Sequence, residues 1–459
     1  MKMTKRYKSK FILVGFLGMQ LFCKAELFEV GPGKAHATIS SVPWESLQAG
    51  DTVRVYWQAK PYHEKWVLCC RGTQEKPITV SGVAGPDGQL PVIDGQNAVT
   101  RDALNYYNEE RGVLKIGSAN RPADRMPAHI VVENLEIRCG RLPYAFSGRR
   151  GVGKYSKDAA SVFVEKGGHL VLRNLVLHDS GNGLMVSSQS SDVRVEGCHL
   201  YDNGNPGSIT EHNAYTECHG IVFEANHFGP LREGCRGNNL KDRSAGLVVA
   251  YNWIEGGNRQ LDLVDATGNP ALNASPAYRR TLVYGNVIIE RDEEGSNQIV
   301  HYGGDSDNTA GFRKGVLFFY HNTVVSTRPR SIAVFRVSTP EETVECHGNI
   351  LHTTSKGKHL SLMCKAGILK LGKNWLTDGW VPTVDDFRGE IQKVQPLVEG
   401  VEPGFIKLSE QDFRLSADSA NLAAAPIQPV DVPLPTRCYI RHQKLEDLPP
   451  GAPLNLGAQ

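Results

Sequence analysis

A short motif that recurs six times between residues 223 and 376 constrains the fold more than any other feature of the sequence. Each copy has apolar residues, then Asn, then one further residue, then an apolar residue, as in residues 249–254 (VAYNWI). The asparagines are Asn226, Asn252, Asn286, Asn322, Asn349 and Asn374. Successive asparagines are 26, 34, 36, 27 and 25 residues apart. Such spacing is typical of a solenoid built from stacked repeats.

The repeats have the pattern of short strands, because apolar and polar residues alternate and Gly or Asn follows. Earlier segments share the pattern at 129–137, 169–177 and 192–200. No helical pattern of useful length separates them, so turns must join parallel strands. We therefore predict an all-β fold, a single-stranded right-handed parallel β-helix over residues 26–376, with final coils and a C-terminal cap over 377–459. The asparagines are expected to hydrogen-bond along one turn and to be structural.

Residues 1–25 have the pattern of a signal peptide. A lysine-rich and arginine-rich start is followed by an apolar segment at 11–23 and by Ala25 near the expected cleavage point. We expect export to the periplasm or the extracellular medium, with no membrane attachment once the signal is removed. An uncleaved membrane anchor is the alternative.

Export changes the charge balance of the chain. Residues 1–25 hold six of the 51 Lys and Arg and no acid, which leaves 45 basic and 49 acidic side chains and a net charge of −4. A negative mature chain disfavours nucleic acid as a partner. With 40% hydrophobic and 22% charged residues, the composition is too apolar for a disordered chain. We expect a monomer.

Residues 211–265 are the densest group of chemically active side chains. The group contains Glu211, His212, Tyr215, His219, Arg232, Arg236, Asn239, Lys241, Asp242, Arg243, Arg259, Asp262 and Asp265. If the coils stack, strands about 4.8 Å apart place His212, Lys241 and the pair Arg259 and Asp262 on three neighbouring coils. This region is the predicted site.

The excess of cations predicts that the site binds an acidic polysaccharide and cleaves it by β-elimination. That reaction requires a cation to neutralise the uronate carboxylate, a base for the C5 proton and an acid for the leaving oxygen. Lys241 is the predicted base, or the neutralising group if His212 or Tyr215 is the base. The predicted catalytic residues are Lys241, His212, Tyr215 and Arg243. The predicted substrate-binding residues are Arg236, Arg259, Asn239, Asp262 and His219, where Asp262 would orient a basic partner.

The segments that carry these residues resemble a group of exported bacterial right-handed β-helix proteins. The shared elements are His212-Asn213-x-Tyr215, residues 237–243 (GNNLKDR) and Leu261-Asp262. Those proteins are described as candidate polysaccharide-degrading enzymes. The resemblance spans most of residues 30–350 and implies a pectate-lyase-like solenoid.

A more distant resemblance is to the alginate-lyase and chondroitinase-B type of β-helical lyase. It implies that Lys241 is the base and that Arg259 is the arginine of the next coil. In those enzymes paired glutamates that bind calcium precede the lysine, whereas this chain has residues 234–237 (GCRG). No metal ligand is therefore predicted, calcium stays an open alternative, and Arg236 is the candidate to replace it.

Two other kinds of function fit the same scaffold. A glycoside hydrolase would need two carboxyl groups, and Asp262, Asp265 and Glu211 are the candidates. A surface protein without catalytic activity would use the same groove to bind or adhere to a glycan. The aspartate motifs of polygalacturonases and the common pectate-lyase signature do not occur in this sequence.

Overall fold

The computed structural model describes residues 24–266, 268–292, 295–422 and 432–458. Most of the predicted signal peptide, residues 1–23, lies outside this part of the chain. No helix of the described residues is both long and apolar enough to cross a membrane.

Three parallel sheets form the walls of the solenoid, and long strands join the first two into one 21-stranded sheet. The first sheet contains Leu27–Val30, Thr52–Tyr56, Ile78–Val83, Ala128–Glu133, His219–Glu224, Ala245–Ala250, Arg280–Tyr284, Val316–Tyr320, Thr343–His347 and Arg388–Lys393. The second contains Trp66–Leu68, Gly112–Ile116, Ala214–Thr216, Leu240–Asp242, Leu261–Leu263, Gln298–Tyr302, Ile332–Val337 and Val381–Thr383. The long strands Ala160–Arg173, Asn182–Glu196 and Leu360–Leu371 run through both sheets.

The third sheet closes each coil. It contains Val92–Asp94, Glu136–Arg138, Val176–His178, His199–Tyr201, His227–Phe228, Trp253–Glu255, Val287–Glu290, Thr323–Ser326, Ile350–Thr353, Trp375–Thr377 and Val398–Gly400. Within these three sheets, neighbouring strands pair in parallel from one coil to the next, as Leu240 pairs with Leu261. The chain is therefore the predicted parallel β-helix, with the right-handed winding that parallel connections adopt.

The remaining elements are short. They are the α-helix Pro270–Ala274, the 3₁₀ helices Ile39–Ser41, Glu109–Arg111, Pro276–Arg279, Thr309–Gly311, Gly357–His359 and Leu408–Glu410, and the strands Ala98–Val99, Asn105–Tyr106, Ala119–Arg121, Ala145–Gly148, Gly151–Lys154, Phe405–Lys407, Asp412–Leu415, Arg437–Ile440 and Lys444–Asp447.

Alternation along each strand places one set of side chains inside the solenoid and the other set outside. Leu240, Leu261 and Val300 face the interior and are fully buried, and they belong to one continuous apolar core. Because each coil packs on the next, this core extends along the described coils.

The repeated asparagines form a ladder at one corner of the solenoid. Asn252 Nδ2 donates to Asn286 Oδ1 at 2.9 Å, and the backbone N–H of Asn252 donates to the same oxygen at 2.8 Å. The pattern continues from Asn226 to Asn374. The ladder pairs buried turn groups that would otherwise lack partners, which confirms the predicted structural role.

The C-terminal strap, residues 401–422 and 432–458, runs back along the side of the solenoid. Phe413 stacks on Trp253 at 5.6 Å, and His442 stacks on His227 at 4.1 Å. The sequence predicts that this region caps the end of the solenoid; the described residues instead cover the outer face of the third sheet. The reason is a row of apolar side chains on that face, which would be exposed to solvent if the strap did not cover it.

Candidate active site

The candidate site lies on the outer face of the second sheet. Tyr215, Lys241, Asp262 and His301 occupy the same register position on four successive strands. Strands of a parallel sheet lie about 4.8 Å apart, so the four side chains form a continuous row. The strand register thus places the predicted residues on neighbouring coils.

Lys241 lies between two carboxylates. Its Nζ donates to Asp262 Oδ2 at 2.6 Å and to Asp305 Oδ2 at 2.5 Å. Both contacts are ion pairs, so the amine already binds two carboxylates. The surroundings therefore suit Lys241 to holding a carboxylate, the second of its two predicted roles, better than to removing a proton.

Arg243 holds the other oxygen of Asp305. Its Nη2 donates to Asp305 Oδ1 at 2.9 Å, and its Nε donates to the Tyr215 hydroxyl at 3.1 Å. Burial opposes the charge, but Tyr215 and Asp305 raise the pKa of Arg243 above its ordinary value. Lys241 and Arg243 together form what we call the carboxylate clamp, and the Tyr215 hydroxyl lies beside it.

Asp262 supports the clamp from below and is 2% exposed. Its Oδ1 accepts from His301 Nδ1 at 2.8 Å, and its Oδ2 accepts from Asn238 Nδ2 at 2.9 Å. Burial would raise its pKa, but the hydrogen bond from His301 and the charges of Lys241 and Arg259 lower that pKa well below the ordinary range. Asp262 is therefore an ionised acceptor that orients Lys241.

His301 links Asp262 to Ser338. Burial lowers the pKa of His301, although the hydrogen bond with Asp262 opposes this, so the ring is neutral at neutral pH. Its Nδ1–H donates to Asp262, and Nε2 lies 2.9 Å from Ser338 Oγ. A neutral imidazole has one donor and one acceptor, so Nε2 accepts the Ser338 proton and the ring is fixed in one orientation.

His212 is buried next to Tyr215. The rings meet edge to face at 5.6 Å, and His212 Nδ1 accepts from the backbone N–H of Asn238 at 2.8 Å. Burial, with the charge of Lys241, lowers the pKa of His212 to about 3. The side chain is 2% exposed, which makes it a residue that positions Tyr215; the predicted contact of His212 with substrate does not fit this burial.

Arg259 lies three residues before Asp262 and contacts it from the same coil, one coil after Lys241. Its Nη1 lies 3.6 Å from Asp262 Oδ1, and its Nη2 donates to Gln298 Oε1 at 2.8 Å. Burial lowers the pKa of Arg259 below its ordinary value. The guanidinium is half-buried, so it lies within reach of an anion bound beside Asp262.

Three predicted substrate-binding residues lie outside the row. Asn239 is fully buried, and its Nδ2 donates to the carbonyls of Glu255 and Gly256, so it supports a turn. Arg236 is exposed on an adjoining turn and lines a separate cavity of about 590 Å³. His219 begins a strand of the first sheet, where its register partner is Ala245.

Asp305 and His301 are the site residues that the sequence did not reveal. His301 is the register partner of Asp262 on the next strand. The outward-facing position of that strand could therefore have identified His301 from the sequence. Asp305 lies on a loop, residues 303–308, that folds over the sheet from one coil later. Strand periodicity does not indicate where such a loop lies.

Asp262 and Asp265, two of the carboxyl groups considered for hydrolysis, lack the properties of a general acid. Asp265 accepts from Asp305 N at 2.8 Å and from Ser306 Oγ at 2.6 Å. Burial would raise the pKa of Asp265, but these hydrogen bonds keep it below its ordinary value. The contacts of Asp262 lower the pKa of that residue in the same way. Glu211 is 1% exposed. A general acid must hold a proton at the working pH, so Asp262 and Asp265 do not suit this role.

Among the described residues, no group of three or more His, Cys, Asp or Glu side chains is arranged to hold a metal ion. The residues that surround the clamp are instead paired with one another, as Lys241 is with Asp262 and Asp305.

Comparison with known proteins gives similar folds and no sequence family. No family model and no curated protein matches the chain. Similar solved structures include an alginate lyase from Paenibacillus sp. str. FPU-7, with 12% identity over 75% of this chain and 93% of that one and a TM-score of 0.46. Pectate lyase Pel9A has 11% identity over 95% of this chain and 96% of that one, with a TM-score of 0.49.

A glycoside hydrolase is also among the similar structures. The GH136 lacto-N-biosidase from Eubacterium ramulus has 12% identity over 82% of this chain and 68% of that one, with a TM-score of 0.48. At this identity the similarities concern chain trace alone, and the fold assignment rests on the strand register described above.

Proposed function

We propose that this protein is a polysaccharide lyase that cleaves an acidic polysaccharide by β-elimination. The carboxylate clamp is the observation that carries the proposal, because Lys241 and Arg243 hold the two oxygens of one carboxylate beside the Tyr215 hydroxyl. A uronate carboxylate held in this way is neutralised, and that makes the neighbouring C5 proton more acidic.

Tyr215 is the proposed base. In the proposed step Tyr215 reacts as the phenolate, after its own proton has passed to water, and its oxygen accepts from Arg243 Nε at 3.1 Å. The phenolate accepts the C5 proton, the electron pair forms the C4–C5 double bond, and the bond from C4 to the glycosidic oxygen breaks. The Tyr215 hydroxyl then returns the proton to the leaving oxygen.

Other residues of the row keep these groups in place. Asp262 and His301 orient Lys241 from below, and His212 packs against the edge of the Tyr215 ring. Groups held by packing and hydrogen bonds keep a geometry that favours reaction. These residues act through Lys241 and Tyr215 and do not touch substrate.

Further arginines on the same face favour an acidic polymer over a neutral one. Arg336 occupies the register position after His301. On the other side, Arg111 Nη2 lies 3.4 Å from Sδ of Met185, which precedes Tyr215 in the register. Cations on several coils match a polymer that carries a carboxylate on successive sugars.

The test is the ultraviolet absorbance of unsaturated uronate products formed by the purified protein on a panel of acidic polysaccharides. We expect a rise on at least one polymer. Tyr215→Phe should reduce product formation by at least about 100-fold while polymer binding is retained. Lys241→Ala should weaken binding as well, because it removes half of the clamp.

Tyr144→Phe is the matched control, since its hydroxyl donates to Asp179 away from the row, and it should keep full activity. A flat trace on every polymer would contradict the proposal. Saturated reducing ends from a neutral glycan would then indicate a hydrolase, and retained binding without product would indicate a binding protein.

A further inference from the structure

Asp305 lies between the clamp and the solvent. Its side chain is 31% exposed, whereas those of Lys241 and Arg243 are 12% and 11% exposed. Oδ2 meets Lys241 and Oδ1 meets Arg243. An incoming carboxylate that bound the clamp through both oxygens would need the space that this side chain fills.

The backbone around Asp305 is fixed without help from its carboxylate. Asp265 accepts from the backbone N–H groups of Asp305 and Ser306, and Ser338 Oγ accepts from the backbone N–H of Gly304. The Asp305 side chain can therefore turn away from the clamp by rotation about its own bonds while the loop stays in place.

Charge balance favours an exchange of one carboxylate for another. Ion pairs connect the cations Lys241, Arg243 and Arg259 with the carboxylates Asp262, Asp265 and Asp305. When Asp305 turns away, this network holds one uncompensated positive charge. A single carboxylate restores neutrality, whereas an ester or a neutral sugar does not.

We propose that Asp305 is an internal ligand that occupies the position of the substrate carboxylate and competes with it. The inference rests on the proposed function for the identity of the substrate carboxylate. It names the substrate class more closely, as a uronate with a free, unesterified carboxylate. Such a competitor weakens the apparent affinity by the fraction of molecules in which the clamp is open.

The test is isothermal titration calorimetry with the monosaccharides galacturonate, glucuronate and mannuronate and with their methyl esters. If the clamp is open in about a tenth of the molecules, Asp305→Asn should lower the Kd of at least one free uronate about tenfold. It should not change the binding of the ester. Asp307→Asn removes the same charge from the same loop and should match the unmodified protein.

Asp305→Ala is a second variant that decides the question if Asp305→Asn fails to fold, and thermal unfolding checks each variant. The inference is overturned if the Asp305 variants bind uronate no better than Asp307→Asn does, or bind none at all. Such results would mean that Asp305 only holds Lys241 and Arg243 in place.

Monosaccharides contain no glycosidic bond to cleave, so this test is independent of catalysis. Tighter binding in Asp305→Asn with no product from any polymer would support the carboxylate site and contradict the lyase. Product formation by the unmodified protein with no gain in binding would support the lyase and contradict the role of Asp305.

Discussion

Asp262 and Asp305 share Lys241 but differ in exposure. Asp262 is 2% exposed and also accepts from His301 and Asn238, whereas Asp305 is 31% exposed. A buried carboxylate without its cation is costly, and so is a buried cation without its carboxylate, whereas an exposed ion pair contributes little. Of these two chemically identical side chains, one therefore supports the site and the other covers it.

The residue-scale prediction concerns Asp262→Asn. The substitution keeps the volume but removes the charge that Lys241 and Arg259 share. We expect the free energy of unfolding to fall by about 3–5 kcal/mol, the range for breaking a buried ion pair. Urea unfolding at neutral pH measures this quantity.

Asp305→Asn is the comparison for stability, because its carboxylate is partly solvated. It should change the free energy of unfolding by about 1 kcal/mol or less. Equal losses in the two variants would contradict the distinction between a supporting and a covering carboxylate.

At this scale the sequence located the site residues between 211 and 265 but not the hydrogen bonds and ion pairs that connect them. The density of cations between 232 and 259 identified Lys241 and Arg243, and the order of the coils placed them near Asp262 and Tyr215. Burial was not predictable, so His212 and Asn239 were expected to meet substrate although both are buried. Whether a polar side chain at a turn faces inward depends on the packing of the next coil.

The asparagine ladder connects each coil with the next by side-chain hydrogen bonds. Asn286 Oδ1 accepts from Asn252, and its Nδ2 donates to Asn322 and to the carbonyls of Val249 and Tyr284. Every amide in the middle of the ladder therefore serves the coil before it and the coil after it. The loss of one amide affects three turns at once.

We therefore predict a large effect of Asn286→Ala at the element scale. The substitution leaves buried donors and acceptors of several residues without partners, at about 1–3 kcal/mol for each group. The free energy of unfolding, measured in urea, should fall by more than the cost of one such unpaired group.

The exposed Asn120→Ala serves as the control and should stay within about 0.5 kcal/mol of the unmodified protein. Its side chain accepts one hydrogen bond from Tyr107 at the surface. A similar small effect of Asn286→Ala would mean that the ladder follows from coil stacking and does not stabilise it.

Strands and turns were predictable at the element scale because their signals are local. Alternation and the repeated Asn identified the coils from 129 to 376. The stretch 100–126 lacks the repeated pattern, yet Gly112–Ile116 within it is a strand of the second sheet. All five of its residues are buried, so it lacks the alternation of a strand with one solvent face.

The strap stabilises the molecule through a stack of imidazoles. His199, His227 and His442 lie in order with ring centroids 4.3 and 4.1 Å apart. Burial and the neighbouring rings lower the pKa of His199 to about 4 and that of His227 to about 3. Arg441 adds a positive charge beside His227. The stack is thus neutral in the folded protein.

At the scale of the whole molecule, this predicts a loss of stability on mild acidification. The unfolded chain binds protons below a pKa of about 6.5, whereas the folded imidazoles do not, so acid favours unfolding. We expect each of His199 and His227 to lower the free energy of unfolding by about 1–2 kcal/mol between pH 7.5 and pH 5. Urea unfolding at the two pH values measures the difference.

His227→Gln should remove the share of that difference that His227 contributes, whereas the exposed His63→Gln should leave the difference unchanged. An identical pH dependence in both variants would contradict the role of the stack. The position of the strap was not predictable from the sequence, because its contacts join residues more than 200 positions apart.

The path of the strap also connects late residues of the chain with early coils. Gln443 Nε2 donates to the carbonyl of Gly197, 246 residues earlier in the chain. The aromatic face around Trp253 is covered only when the strap has docked on it. A chain that lacks the strap would therefore expose the apolar side chains around Trp253. Proteases and chaperones bind exposed apolar surface of this kind.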